Sequence, residues 1–267
     1  MNYKILCSDL DGTLLSTKSD VSAFTISEIQ RIKPTTKIIL VSARMPKAMR
    51  YIQRDLGIEK EPIICYNGAL VLDNEKEVYS IFIETATILS LFELTQTYGI
   101  KLGLYYKDEW YVEEISKRVS KEIHHTKATP IYRNTNETII DWRERNVGAH
   151  KIMLMGTQET IDSITPHLES KFTFEMNIYR SNDTLIEVTP KAISKLSAIE
   201  TLLNGNDTLN DVIAFGDNYN DVEMLRHAAC SVAVGNAREE VKSIANHVTL
   251  KNTEEGVAHF LKQHFNI

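Results

Sequence analysis

Lys4-Ile5-Leu6-Cys7-Ser8-Asp9-Leu10-Asp11-Gly12-Thr13 is the stretch on which the reading of the fold turns. Its first half is a short apolar run and its second half an acidic loop containing glycine. It therefore reads as a buried strand, residues 4–8, entering a turn. The following segments alternate helix with strand. Ile26, Ile29 and Ile32 share one helical face, and Pro34 stops that helix. Residues 37–41 form a β-branched strand. Pro46 then opens a second helix whose apolar face is Met49, Ile52 and Leu56, ending at Gly57. Residues 62–65 are a third strand, and 69–72 and 78–82 flank Asp73-Asn74-Glu75-Lys76 as a hairpin.

The C-terminal part repeats the rhythm, with a helix over 194–203, a strand over 211–215 and a helix from about Asp221. A strand over 231–234 and helices over 237–245 and 257–264 follow. Strands apolar on both faces and alternating with helices predict an α/β fold, a Rossmann-like, doubly wound and mostly parallel sheet. The middle differs. Helix-like 88–98 precedes strand-like 102–106 and 110–112, and residues 117–145 are polar with little periodicity. Strand-like 151–155, helix-like 159–168 and strands near 172–178 and 185–188 complete it. Residues 83–188 are accordingly expected to form an inserted α+β domain, and 1–82 with 189–267 the core.

A length of 267 residues suits one or two domains and a core that needs no disulfide or structural metal. Acidic residues outnumber basic ones by 36 to 30, for a net charge of −6. Nucleic-acid binding draws on Lys and Arg neutralising phosphates, so no nucleic-acid partner is expected. A small phosphorylated ligand is not excluded, because a local cluster can oppose the net charge. The 3 cysteines, Cys7, Cys65 and Cys230, are too few for a secreted disulfide framework and read as buried thiols. The first residues reach an aspartate before a signal-peptide apolar region develops, and no apolar run approaches the ~20 residues that span a bilayer. No membrane partner is expected, and a cytoplasmic location is.

In an open parallel sheet, ligands bind beyond the carboxyl ends of the strands. Asp9 and Asp11 lie at one such end. Val41-Ser42-Ala43-Arg44 closes the second strand with a hydroxyl and backbone N–H groups ahead of a helix, a setting suited to an anion or to a simple helix cap. Gly216-Asp217-Asn218-Tyr219-Asn220-Asp221 is a third polar loop at a strand end. Four carboxylates, Asp9, Asp11, Asp217 and Asp221, gathered at one sheet edge would repel unless a cation intervened. Hard oxygen ligands with open positions suit Mg²⁺, which commonly takes one or two carboxylates together with a substrate phosphate.

These segments resemble the motifs of the haloacid dehalogenase superfamily of phosphohydrolases. Asp9-Leu10-Asp11-Gly12-Thr13 is similar to its first motif, Val41-Ser42-Ala43-Arg44 to its second, Lys195 to its third and Gly216–Asp221 to its fourth. Tyr66-Asn67-Gly68-Ala69 and Ile186-Glu187-Val188-Thr189-Pro190 resemble the Cof-type branch, which carries a large α+β cap between the second and third motifs. The resemblance implies a Mg²⁺-dependent phosphatase of small phosphorylated metabolites, such as sugar phosphates, nucleotides or phosphorylated cofactors. Asp9 would attack phosphorus and form an aspartyl-phosphate, while Asp11 would serve as acid and then base. Asp9, the backbone carbonyl of Asp11 and Asp217 would hold Mg²⁺, supported by Asn218 or Asp221. Leu10, Ser42, Ala43, Lys195 and Asn220 would bind the phosphoryl oxygens.

The sequence departs from the family at Ala43 and Leu196, where glycine is usual. Ala43 would strain the loop if its φ were positive. Lys191 rivals Lys195 for the phosphate-binding role, and Lys195 is preferred from its place just inside a helix start. Asn67, Ser181, Asn182 and Asp183 are candidates for substrate specificity. A phosphomutase or phosphotransferase acting on sugar phosphates, or a non-catalytic phosphate-ligand-binding regulator, is the alternative. The chain is expected to act as a monomer or weak homodimer.

Overall fold

The structure, a computed structural model, describes residues 3–16 and 19–265. In chain order, β1 (Ile5–Ser8) leads to α1 (Ala23–Ile32), β2 (Lys37–Val41), α2 (Lys47–Leu56), β3 (Ile63–Cys65) and the hairpin of β4 (Leu70–Asp73) and β5 (Lys76–Ser80). The middle of the chain contributes α3 (Thr85–Thr97), β6 (Lys101–Tyr106), β7 (Glu109–Val112), α4 (Lys117–Thr126), β8 (Ile131–Tyr132) and α5 (Thr135–Glu144). It continues with β9 (Lys151–Met155), α6 (Gln158–Phe172), β10 (Met176–Asn182) and β11 (Leu185–Pro190). The last part holds α7 (Lys195–Glu200), β12 (Val212–Gly216), α8 (Val222–His227), β13 (Cys230–Ala233), α9 (Glu239–Ile244), β14 (His247–Val248) and α10 (Gly256–His264).

The chain divides into two compact units, Met1–Tyr79 with Ser194–Ile267, and Ser80–Ile193. This moves the boundaries expected at 82/83 and 188/189. The physical reason is β11, which stays paired with β10 through Thr189 and Pro190, so those residues belong to the second unit's sheet.

The first unit is built on an eight-stranded sheet in the order β14-β13-β12-β1-β2-β3-β4-β5. Strands from β14 to β3 run parallel, and β4 turns back antiparallel on β3. Leu6, Cys7, Ile38, Ile39 and Leu40 are fully buried, as strands covered on both faces require. From β1 the chain steps outward to β2 and β3, then returns on the other flank through β12 and β13. The order therefore reverses between β1 and β12, and their carboxyl ends frame the crevice where sheets of this kind take ligands. The β4–β5 hairpin closes through Asn74 and Glu75, both at positive φ, the twist that a two-residue turn needs.

The second unit has a six-stranded sheet ordered β10-β11-β9-β6-β7-β8. Leu102, Leu104 and Tyr106 alternate along β6, and with Ile152, Leu154, Ile186 and Val188 they form one apolar face. Ile88, Leu91, Ile139, Trp142, Ile161 and Ile164 from three helices pack on it. The polar stretch 117–145 contains α4 and α5. Their N-caps, Ser116 and Asn134, are explicit, and their buried faces rely on Val119, Thr126, Thr135, Thr138, Ile139 and Trp142. Threonine reads as polar in a sequence pattern, yet its methyl packs like an apolar group, so the helical period was hidden. Among the described residues, no helix is long and apolar enough to cross a membrane. The three cysteines are buried and form no disulfide with one another.

Candidate active site

The site grows from the end of β1. The Asp9 N–H donates to the carbonyl of Phe215 at 3.1 Å, locking the ends of β1 and β12 together. The chain then makes a wide turn over Leu10–Leu14, in which the N–H groups of Leu14 and Leu15 reach back to the carbonyls of Asp9 and Leu10. Gly12 sits in this turn at φ +89°, and a Cβ built there would come 2.6 Å from Asp217 Oδ2. Glycine thus satisfies the backbone and lets the first acidic loop approach the loop after β12. Thr13 Oγ1 donates to Asp217 Oδ1 at 3.1 Å and orients that carboxylate.

Lys195 enters from the first turn of α7, which Ser194 caps through a reciprocal pair of bonds with Ser197. Its Nζ lies 2.6 Å from Asp9 Oδ1 and 2.6 Å from Asp221 Oδ1, and it also donates to the carbonyl of Val41. Lys191 is exposed in the second unit; the lysine that meets Asp9 is Lys195. Asp221 is fully buried, and its second oxygen accepts the N–H groups of Asp217 and Asn218 at 2.9 and 3.0 Å. Both of its oxygens are therefore engaged by the protein. Asp221 fixes the loop and the ammonium.

Asp9 is different. One oxygen takes the ammonium, while buried Oδ2 has no hydrogen-bond partner. Asp9, Asp217 and Asp221 each offer a carboxylate oxygen within 4.8 Å of the others. Burial drives the Asp9 carboxyl well above its usual range against the pull of Lys195, and Asp221 and Asp217 add repulsion. Burial, then the Asp221 carboxylate, pushes Asp217 up to about 6. Burial alone would lower the Lys195 ammonium, but Asp221 and Asp9 outweigh it and hold it above its ordinary value. An orphaned buried oxygen amid carboxylates that resist ionising together is what a cation site presents, and these residues fit a divalent metal.

The second loop follows β2 and brings a hydroxyl and a guanidinium. Ser42 Oγ, buried, accepts the N–H of Arg44 at 3.2 Å. Ala43 is not among the residues at positive φ, so its Cβ brings no left-handed strain. Arg44 turns its guanidinium onto Asp11, with Nη2 to Oδ1 at 2.7 Å and Nε to Oδ2 at 2.8 Å. Asp11 therefore sends its carboxylate to Arg44 and not into the acidic cluster. Asn220 Nδ2 donates to Asn67 Oδ1 at 3.0 Å, which brings the turn after β3 to the loop after β12. Leu10 and Ala43 follow the carboxyl ends of β1 and β2.

Asn218, expected to support a metal, turns elsewhere: its exposed Oδ1 accepts from the Tyr219 N–H and from Arg238 Nε at 2.9 and 2.8 Å. Ser181, Asn182 and Asp183 lie at the end of the β10–β11 hairpin. There Ser181 donates to Glu187, Asn182 accepts from Thr184, and Asp183 pairs with Arg180. Sequence reasoning gave no role to Thr13, Arg44 or Tyr51. Arg44 was signalled by its place two residues after Ser42, and Thr13 by its place in the first motif. Nothing in the pattern marked Tyr51.

The fold and this cluster of carboxylates define a class before they define a reaction. The sequence profile of the haloacid dehalogenase-like hydrolases matches residues 6–261, and the chain belongs to that family. It is an enzyme, a phosphoric monoester hydrolase in class. The chain is 32% identical to a putative phosphatase of Haemophilus influenzae over 99% of both chains. It is 28% identical to the 5-amino-6-(5-phospho-D-ribitylamino)uracil phosphatase YitU of Bacillus subtilis over 98% of both. A crystal structure of a haloacid dehalogenase-like hydrolase from Bacteroides thetaiotaomicron superposes with a TM-score of 0.89 at 27% identity, covering 98% of this chain and 100% of that one.

Proposed function

We propose that the protein is a Mg²⁺-dependent phosphatase that cleaves small phosphorylated metabolites through an aspartyl-phosphate on Asp9. The observation that carries this reading is the buried, partnerless Oδ2 of Asp9 beside Asp217, with Oδ1 pinned by Lys195. Asp9, Asp217 and the backbone carbonyl of Asp11 would hold the metal, which supplies positive charge to the phosphoryl group and relieves repulsion among the carboxylates. Lys195 holds the Asp9 carboxylate through Oδ1 and so fixes its plane for in-line attack on phosphorus. Ser42, Lys195, Asn220 and the N–H groups of Leu10 and Ala43 act on the phosphoryl oxygens, where positioning and charge stabilisation dominate catalysis. Asp11 gives a proton to the leaving alcohol, and as carboxylate takes one from the water that opens the aspartyl-phosphate.

The second unit selects the leaving group in this reading, with sugar phosphates, nucleotides and phosphorylated cofactors as the substrate classes. YitU is named for a phosphorylated ribityl-uracil, which lies within that range. Release of inorganic phosphate from an aryl phosphate and from a panel of phosphorylated metabolites tests the proposal. Activity is expected only with a divalent cation, greatest with Mg²⁺, and lost in Asp9→Asn. Full turnover in the presence of chelator overturns it. Transfer to a sugar hydroxyl without free phosphate points to the phosphotransferase alternative.

A further inference from the structure

We propose that Arg44 and Tyr51 form a relay that sets the orientation of Asp11, making both positioning residues for the proton transfers of the proposed phosphatase reaction, on which this inference rests. Asp11 is the least enclosed of the site's carboxylates, with 41% of its side chain exposed, while the Arg44 side chain is 4% exposed. An exposed carboxyl is thus gripped by a buried planar cation. Both guanidinium contacts are short, and the fork fixes the plane of the carboxyl group as well as its position.

The grip is itself anchored. Arg44 Nη1 donates to Tyr51 Oη at 3.0 Å and to the carbonyl of Ala48. Tyr51 Oη in turn donates to the carbonyl of Ser19 at 2.6 Å, across 32 residues of sequence. Tyr51 and Ala48 both lie on α2, so the helix that follows the second loop reaches the carboxyl of the first. Two parallel contacts fix the direction of the carboxyl, which a single contact leaves free to swing. A lysine offers a charge without that second contact.

The test is a series of phosphate monoesters with leaving groups from nitrophenol to simple alcohols, read as kcat/KM in the presence of Mg²⁺. This parameter reports steps up to departure of the alcohol, where a good leaving group needs no proton. Arg44→Lys is expected to lose roughly 10²-fold on alkyl phosphates and less than about threefold on nitrophenyl phosphate. Tyr51→Phe, which deletes one hydroxyl and leaves the ring, is expected to lose in the same direction by a smaller factor. In an Asp11→Asn background, Arg44→Lys should change nothing further. Equal losses across the whole series, or an undiminished Arg44→Lys effect in that background, overturn the relay while leaving the phosphatase intact. If Arg44→Lys fails to fold by thermal melting, the slope of Tyr51→Phe decides alone. Should the unaltered protein release phosphate from no ester, the phosphatase reading falls and the relay falls with it.

Discussion

Lys195 Nζ stands 2.6 Å from Asp9 Oδ1, with both side chains withdrawn from solvent. The same ammonium holds Asp221 at 2.6 Å, so one cation bridges two carboxyl groups that arrive from opposite ends of the chain. Removing it leaves buried charge without a partner, which costs far more than the pair contributes when intact. Lys195→Met is expected to lower the unfolding free energy by about 3–5 kcal/mol and to abolish activity. Urea unfolding with and without Mg²⁺ checks this, because added cation should restore part of the lost stability. A variant as stable as the original protein would show that the carboxylates do not depend on the ammonium.

Gly12 separates strain from chemistry. Gly12→Ala must hold φ near +89° and force its Cβ toward Asp217. Gly205 has φ +63° with nothing within 4 Å of a built Cβ, so Gly205→Ala meets backbone strain alone. Each is expected to cost about 1–3 kcal/mol in chemical unfolding. Only Gly12→Ala should weaken activation by Mg²⁺, by roughly tenfold, because it displaces a carboxylate of the cluster. Equal Mg²⁺ requirements in the two variants would contradict the placement of Asp217 in a metal site.

The parallel core was legible because Leu6, Cys7, Ile38 and Ile39 need cover on both faces, and an uninterrupted apolar run states this directly. The site was legible as residue types at strand ends, since Asp9 and Asp217 follow β1 and β12. Partnership was not. The Asn220–Asn67 bond spans 153 residues, and no local pattern encodes it. Asp221 Oδ2 takes the N–H groups of Asp217 and Asn218, and Asn218 Oδ1 takes Arg238, pairings that the residue types alone do not state. The helices within 117–145 stayed hidden for a related reason, because buried threonines such as Thr135 and Thr138 register as polar.

The proton held by Asp217 gives the metal response a pH dependence. Its carboxyl is pushed from 3.8 to about 6 in the folded protein, so the native state binds this proton more tightly than the unfolded chain does. Without metal, its contribution to stability is fully present below the unfolded value and is lost as pH rises through about 6. A divalent cation competes with the same proton. The rise in Tm caused by Mg²⁺ is therefore expected to be small near pH 5 and to reach a plateau above roughly pH 7. Differential scanning at fixed Mg²⁺ across this range checks it. Asp217→Asn should show little Mg²⁺-induced shift at any pH, and a shift that shrank as pH rose would reverse the assigned sign.

Asn67 combines a backbone role with an amide role, and two substitutions divide them. It lies at φ 58°, between Tyr66 at 54° and Gly68 at 111°, in a turn whose N–H reaches the carbonyl of Ser42. Asn67→Gly accepts that conformation and loses only the amide bond to Asn220. Asn67→Ala loses the bond and also pays for a left-handed backbone, by about 1–2 kcal/mol. One neutral hydrogen bond is worth about 0.5–1.5 kcal/mol, so inhibition by inorganic phosphate should weaken by roughly two- to twelvefold in both variants. Stability should fall distinctly further in Asn67→Ala than in Asn67→Gly. Unchanged phosphate inhibition in Asn67→Gly would mean that Asn220 keeps its place without this partner, and that Asn67 serves the turn alone.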